Sequence, residues 1–371
     1  MERAELTRLE VAVQGLTPGY FALVMGTGIV SVGLNLLGAR ALSLVLMVIA
    51  AVAYALLLAL NVWRFSRFRA AVVEDFQDPR RAFGFFTLIA GTDVLGVRLA
   101  SEGWYLATTL LFLFAVLLWL GLGYLIPWTA VLSRSERPLV ATANGTWFIW
   151  VVASQSVAAA AATLEPVNDS WRRELAVVAV FAWSVGVFLY GAAGVFVAAR
   201  MMLYPFGPEE LTPPYWVAMG ACAITVLAGA RIVEMDSAPM VDVTRGLIAG
   251  ASVMFWAFAT WLIPALIAAG WWRHGLNRLP LRYEATLWSI VFPLGMYAVA
   301  GIYIGQANSL PIVEGIGRFW LVVVAFPAWA LTFAAMCLNV YRTVLRNGRT
   351  PEIHLRGHRR VQGGTPTSQP T

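Results

Sequence analysis

Ten apolar runs separated by short polar breaks fill the chain from Pro18 to Tyr341. They lie at residues 18–37, 41–63, 82–99, 103–125, 139–163, 174–202, 213–233, 246–270, 284–304 and 317–342. A helix needs roughly 20 apolar residues to cross a hydrocarbon core of about 30 Å, so each run is long enough to span. The runs are continuous, whereas membrane β-strands read as alternating segments of about ten residues. Backbone polar groups in lipid must be satisfied within each span, which leaves helices. The pattern predicts an all-α integral membrane protein of ten transmembrane helices.

Longer connections fall at 64–81, 126–138, 203–212 and 271–283, so the helices divide into five consecutive hairpins. No repeat of residue identity accompanies this repeat of lengths. The second run has no Gly, Pro or charge and reads as lipid-facing. The first carries Gly26, Thr27, Gly28, Ser31, Gly33 and Asn35, and the third Gly84, Thr87, Gly91, Thr92, Asp93 and Gly96. The fifth carries Asn144, Gly145, Thr146, Ser154, Gln155 and Ser156. Small residues permit close helix approach, and polar groups at membrane depth face a bundle interior or a water-filled cavity. The odd-numbered helices are therefore expected inside. Gly186, Gly191 and Gly194 in the sixth run depart from that rule.

Composition agrees: 60% of residues are hydrophobic and 12% charged. Residues 1–17 carry five charges and precede an apolar run too long for a signal peptide, so they read as a cytoplasmic lead-in to a membrane domain at 18–342. Residues 343–371 form a basic tail that reads as disordered. All 26 basic residues are Arg, and 19 of them fall on the side of the N-terminus, which places both termini in the cytoplasm. That charge is topogenic and gives no argument for nucleic acid. Cys222 and Cys337 lie within predicted helices, so no disulfide framework is expected. His354 and His358 have helical spacing but sit in the basic tail, and no metal or other cofactor is expected.

No nucleophile–base arrangement is visible. The stretch MGTGIVSVG lacks the full dinucleotide-binding spacing and lies within a span. The absence of lysine removes a Walker-type ATPase. Asp93 lies about 18 Å into the third helix at a rise of ~1.5 Å per residue, and an acid at that depth is a functional candidate. Arg98 and Arg231 offer it two possible partners; equally, they offer an anion a landing point or snorkel to the interface. Phe292 directly precedes Pro293, which kinks the ninth helix, so the ring either projects into a central space or packs.

Three segments carry a family resemblance: MGTGIVS in the first helix, NGTW (Asn144–Trp147) in the fifth and WSIVFPLG (Trp288–Gly295) in the ninth. With the helix count, they make residues 16–343 resemble the tellurite-resistance/dicarboxylate transporter family, which includes malic acid permeases, sulfite efflux pumps, the bacterial tellurite-resistance channel and plant slow-type anion channels. The resemblance implies five hairpins around a central pore lined by odd helices, in a homotrimer with one pore per subunit. It implies that Phe292 occludes the pore and that Gly26 or Gly28 faces it; Thr27, Asn144 and Gly145 are expected along the same path. The loop FQDPRR (residues 76–81) departs from the dicarboxylate and sulfite branches, which leaves the substrate open.

The expected function is passage of a small anion (a C4-dicarboxylate such as malate, sulfite or an inorganic anion) across the inner membrane without a cofactor. A proton-coupled permease using Asp93 is the alternative within transport. A membrane-embedded enzyme or a scaffold are the readings from other classes.

Overall fold

The computed structural model describes residues 7–132, 138–236 and 238–345. The basic tail with His354 and His358 lies outside the described residues. Ten helices are long and apolar enough to span: α1 (Pro18–Leu36), α2 (Arg40–Arg67), α3 (Ala82–Ala100), α4 (Tyr105–Leu132), α5 (Gly145–Val167), α6 (Asp169–Leu203), α7 (Pro213–Val233), α8 (Pro239–Leu276), α9 (Ala285–Ala307) and α10 (Pro311–Val344). No strand occurs among the described residues. The lead-in contains a helix, Arg8–Gln14, begun by a reciprocal capping box between Thr7 and Glu10.

Even-numbered helices run longer than their apolar cores. α8 starts at Pro239 rather than near 246, because Met240–Gly246 mixes apolar residues with Asp242, Thr244 and Arg245, is helix-competent and carries an Asp242–Arg245 ion pair. An apolar window marks only the part of a helix that lies in hydrocarbon. Helical hydrogen bonding continues wherever side chains permit it.

Each odd helix packs on the even helix that follows, giving five consecutive pairs. Odd helices also touch one another in a closed circuit, α1 to α3, α5, α7, α9 and back to α1. Burial divides the two sets. Between 78% and 89% of the apolar window is buried in odd helices, against 17–33% in even ones. The odd helices thus form an inner ring and the even helices an outer one.

Two repeats unreadable in the sequence appear in the backbone. All five odd helices open with a 3₁₀ turn, at Pro18–Phe21, Ala82–Phe85, Gly145–Trp147, Pro213–Trp216 and Ala285–Leu287. These turns contact one another in their own closed circuit at one face of the ring. At the other face, three hairpins turn through one geometry. Ala39, Trp104 and Leu310 each donate a backbone N–H to the carbonyl five residues back, a Schellman-type closure. The left-handed position is Gly38 (φ 78°), Gly103 (φ 81°) and, in the last, Ser309 (φ 54°). Only glycine takes that conformation without cost, so Ser309 holds a strained backbone.

Candidate functional site

Two cavities lie within the inner ring. At the face where the odd helices begin is a chamber of about 470 Å³. Its wall takes residues from the start of every odd helix, among them Gly19, Gly84, Asn144, Pro214 and Ser289, together with Arg80, Arg81 and Arg200 from the connecting segments. Five helix N-termini therefore converge here. A helix N-terminus carries roughly half a positive charge, so five of them add positive potential to the chamber. Glu209, Glu210 and Glu284 also line it, and Glu210 neutralises Arg200 in an ion pair.

Toward the other face is a smaller cavity of about 30 Å³, lined by odd helices alone. Ile29 comes from α1, Asp93 and Val97 from α3, Ser156 and Thr163 from α5, Arg231 from α7, and Met296 and Tyr303 from α9. Asp93 is 1% exposed. Ser156 Oγ–H donates to its Oδ2 at 2.8 Å, while Oδ1 is buried without a partner. Arg231 lies over the Tyr303 ring at 5.3 Å and approaches Glu234 at 3.6 Å.

Between the cavities the ring is closed. On α9, Ser289 lines the larger chamber and Met296 and Tyr303 the smaller. Phe292 falls on the same helical face, three residues after Ser289 and four before Met296, and is 1% exposed. Glycines fix the backbone around it. A Cβ on Gly26 would meet Val291 at 3.2 Å and the Phe292 backbone N at 3.5 Å, so α1 lies directly against α9 there. A Cβ on Gly220 would come within 2.8 Å of the Pro293 ring, so α7 packs directly on α9 at the proline.

Several expected site residues do not border these two cavities. Gly26 and Gly28 are packing notches, with Gly28 receiving Val94 of α3, and neither is among the residues that line these two cavities. Thr27 turns to the outer ring, where its Oγ1 accepts the Trp329 Nε1–H at 3.0 Å. Gly145 has its Cα against the Pro214 backbone, where a Cβ would fall 2.3 Å from the carbonyl carbon. Asn144 does line the large chamber, and its Oδ1 caps α5 by accepting the Thr146 N–H at 2.8 Å.

Arg98 is fully buried and borders neither cavity. Its guanidinium donates to Ser31, Ser43 and Ser101 Oγ at 2.6–3.1 Å and pairs with Glu102 at 3.0 Å. It fastens α1, α2 and α3 together and is not the partner of Asp93. Glu102, in the turn after α3, is held below the ordinary carboxylate range chiefly by the hydrogen bond from Arg98. On the opposite face, Asp75 is clamped between Arg64 at 2.7 Å and Arg81 at 2.8 Å, which places Arg81 at the chamber wall. Sequence reasoning missed Arg80, Arg81 and Arg200 as chamber residues, because nothing in a loop sequence shows that it folds back over a ring of helix ends.

The family described as voltage-dependent anion channel matches residues 15–337. An uncharacterized membrane protein of Mycobacterium tuberculosis is 61% identical over 166 residues, 44% of this chain and 83% of its own. An uncharacterized transporter of Methanocaldococcus jannaschii is 24% identical over 89% of this chain and 94% of its own. A sulfite efflux pump of Arthroderma otae is 22% identical over 90% and 92% respectively.

Proposed function

The chain belongs to the voltage-dependent anion channel family, and from that premise we propose that it carries small anions across the membrane along the axis of the inner ring. The observation that carries this reading is that both cavities are bounded by all five odd helices; the position of Phe292 on α9, between Ser289 of the larger and Met296 of the smaller, supports it as the barrier between them. An anion enters the larger chamber, drawn by converging helix N-termini and by Arg80, whose guanidinium has no ion pair among the described residues. It passes when the Phe292 ring swings aside, and it leaves past Arg231. The arginine distribution supports a cytoplasmic larger chamber in the plasma or inner membrane, with both termini inside. The assembly is a homotrimer with one path per subunit, which light scattering of the purified protein tests.

The favoured substrate is sulfite or an inorganic anion of similar size. The smaller cavity, about 30 Å³, has room for about two waters, which suits such an ion better than malate. Flux from proteoliposomes over a panel of chloride, nitrate, sulfite and malate tests both parts. Phe292→Ala should raise basal anion flux by about tenfold or more, equivalent to lowering a barrier by ~1.4 kcal/mol. Flux that excludes every anion, or a well-folded Phe292→Ala protein with unchanged flux, sinks the reading.

A second reading has one observation in its favour. The unpartnered Asp93 Oδ1, buried beside the path, suits a proton carrier in a coupled permease. Asp93→Asn should then abolish the dependence of uptake on a pH gradient while leaving passive exchange. Normal coupling in a stable Asn variant removes this role.

A further inference from the structure

A third cavity, about 370 Å³, lies outside the inner ring at the face where the odd helices begin. It is bounded by the end of α8, the segment leading into α7 and the start of α9. One wall is apolar, formed by Trp216, Leu266 and Ile290, and the rim carries Arg273, His274 and Arg282. Most arginines that are buried or half-buried here have a carboxylate partner, as Arg64, Arg98, Arg200 and Arg318 do. Half-buried Arg273 has none among the described residues, and neither does Arg282, which stands exposed at the rim. Arg273 Nη1 instead donates to the carbonyls of Pro208, Glu209 and Leu211, which satisfies hydrogen bonds but supplies no negative charge. Glu284 is the one carboxylate on the wall and leaves an excess of cation. Within α8 the wall is cut back at Gly270, where an added Cβ would meet nothing within 4 Å.

An apolar slot with two uncompensated guanidinium groups at its mouth, at the end of the membrane-spanning helices, matches an amphiphile with an anionic head. We propose that this cavity holds one anionic phospholipid, its phosphate at Arg282 and Arg273 and an acyl chain along Leu266 and the Gly270 cleft. Thr212, Tyr215 and Glu284 belong both to this cavity and to the large chamber. Arg273 also pins the segment that carries Glu209 and Glu210. Occupancy by the lipid therefore sets the position of part of the chamber wall. Binding stands apart from the transport reading; only this coupling to the chamber rests on it.

Native mass spectrometry of the full chain, offered phosphatidylglycerol and phosphatidylcholine with identical chains, measures binding without reference to flux. The expected result is one phosphatidylglycerol retained per chain, with a preference of about tenfold. Arg282→Gln should lower retention by removing a charge, and Gly270→Phe by filling the slot. Both should keep the parent elution profile and melting temperature, since Arg282 has no partner to lose and Gly270 has open space. Millimolar inorganic phosphate should not displace the lipid. Equal retention of the two lipids, unchanged retention in both variants, or displacement by phosphate alone would overturn the proposal. In active proteoliposomes, flux that depends on phosphatidylglycerol in the parent but not in Gly270→Phe supports the coupling. Flux indifferent to lipid, with binding intact, overturns the coupling alone.

Discussion

The inner and outer rings invert the arrangement of a water-soluble protein. The even helices, exposed on most of their surface, reach a mean hydropathy of 2.7 in α2 and 2.4 in α4, whereas the buried α1, α3 and α5 have 1.5, 1.4 and 1.5. Lipid is as apolar as leucine, so no hydrophobic force drives helices together within it. Close packing and hydrogen bonds must do so. The glycines show the same division. On the inner ring a Cβ at Gly28, Gly33, Gly220 or Gly295 would lie within 2.8 Å of a neighbour, whereas at Gly121, Gly191, Gly194, Gly246 and Gly250 of the outer ring nothing lies within 4 Å. The division is one of contact and not of ring alone: Gly186 of α6 and Gly317 of α10, where an outer helix lies on an inner one, would bring a Cβ within 2.6 Å of Gln155 and of the Ala298 carbonyl oxygen.

The sharpest break of this contrast is Gly145→Val set against Gly191→Val. The first drives a side chain into the Pro214 backbone, and the folded protein should be lost from detergent extracts; the second should elute and melt as the parent does. A well-folded Gly145→Val protein would refute the packing of α5 on α7. Next in size is Arg98→Gln, which leaves three serine hydroxyls without their cation and Glu102 with Arg40 alone. It should cost about 1.5–3 kcal/mol, the scale of hydrogen bonds to a charged group. Arg40→Gln, removing the exposed partner of the same Glu102, should cost under ~1 kcal/mol. Equal losses in thermal melts would mean that the serine cage contributes nothing.

Gly220→Ala should act on flux more than on stability, because its methyl group presses on Pro293 behind the Phe292 position. The expected overpacking cost is about 1–3 kcal/mol, with a changed basal anion flux; unchanged flux would detach the kink from gating. Ser309→Gly should stabilise by about 0.5–1 kcal/mol by relieving a left-handed backbone, and a lowered melting temperature would contradict the shared turn geometry. The smallest effect is one of pH. Glu102 is lowered in the folded state, so its contribution is present above the unfolded value of ~4.3 and fades as pH falls through the folded value. An acid limb in the melting temperature that survives Glu102→Gln would assign it to another group.

The apolar runs made the helix count legible, and the placement of Asp93, Ser156 and the glycines made the inner ring legible, since both are properties of single segments. What joins segments was not. Ser31 and Ser43 are unremarkable residues on separate helices until Arg98 reaches both, and Thr27 looked like an interior group because its partner Trp329 lies 302 residues away. The hairpin repeat resides in backbone turns that Gly38, Gly103 and Ser309 reach with different side chains, so no identity repeat records it. The apolar windows also ended the outer helices early, because such windows report on lipid contact and not on the hydrogen bonds that carry α8 to Leu276.

The ring has five members, and an odd circle cannot be cut into two like halves. Any plane through its axis that passes between two neighbours must run through a helix on the far side. A machine that opens alternately to each side by rocking two matched bodies needs such a seam, and every contact in this circuit is instead closed by its neighbours on both sides. The cheapest motion left to the molecule is the smallest one. On the proposed reading, that motion is one side chain turning about its own bonds within the ring.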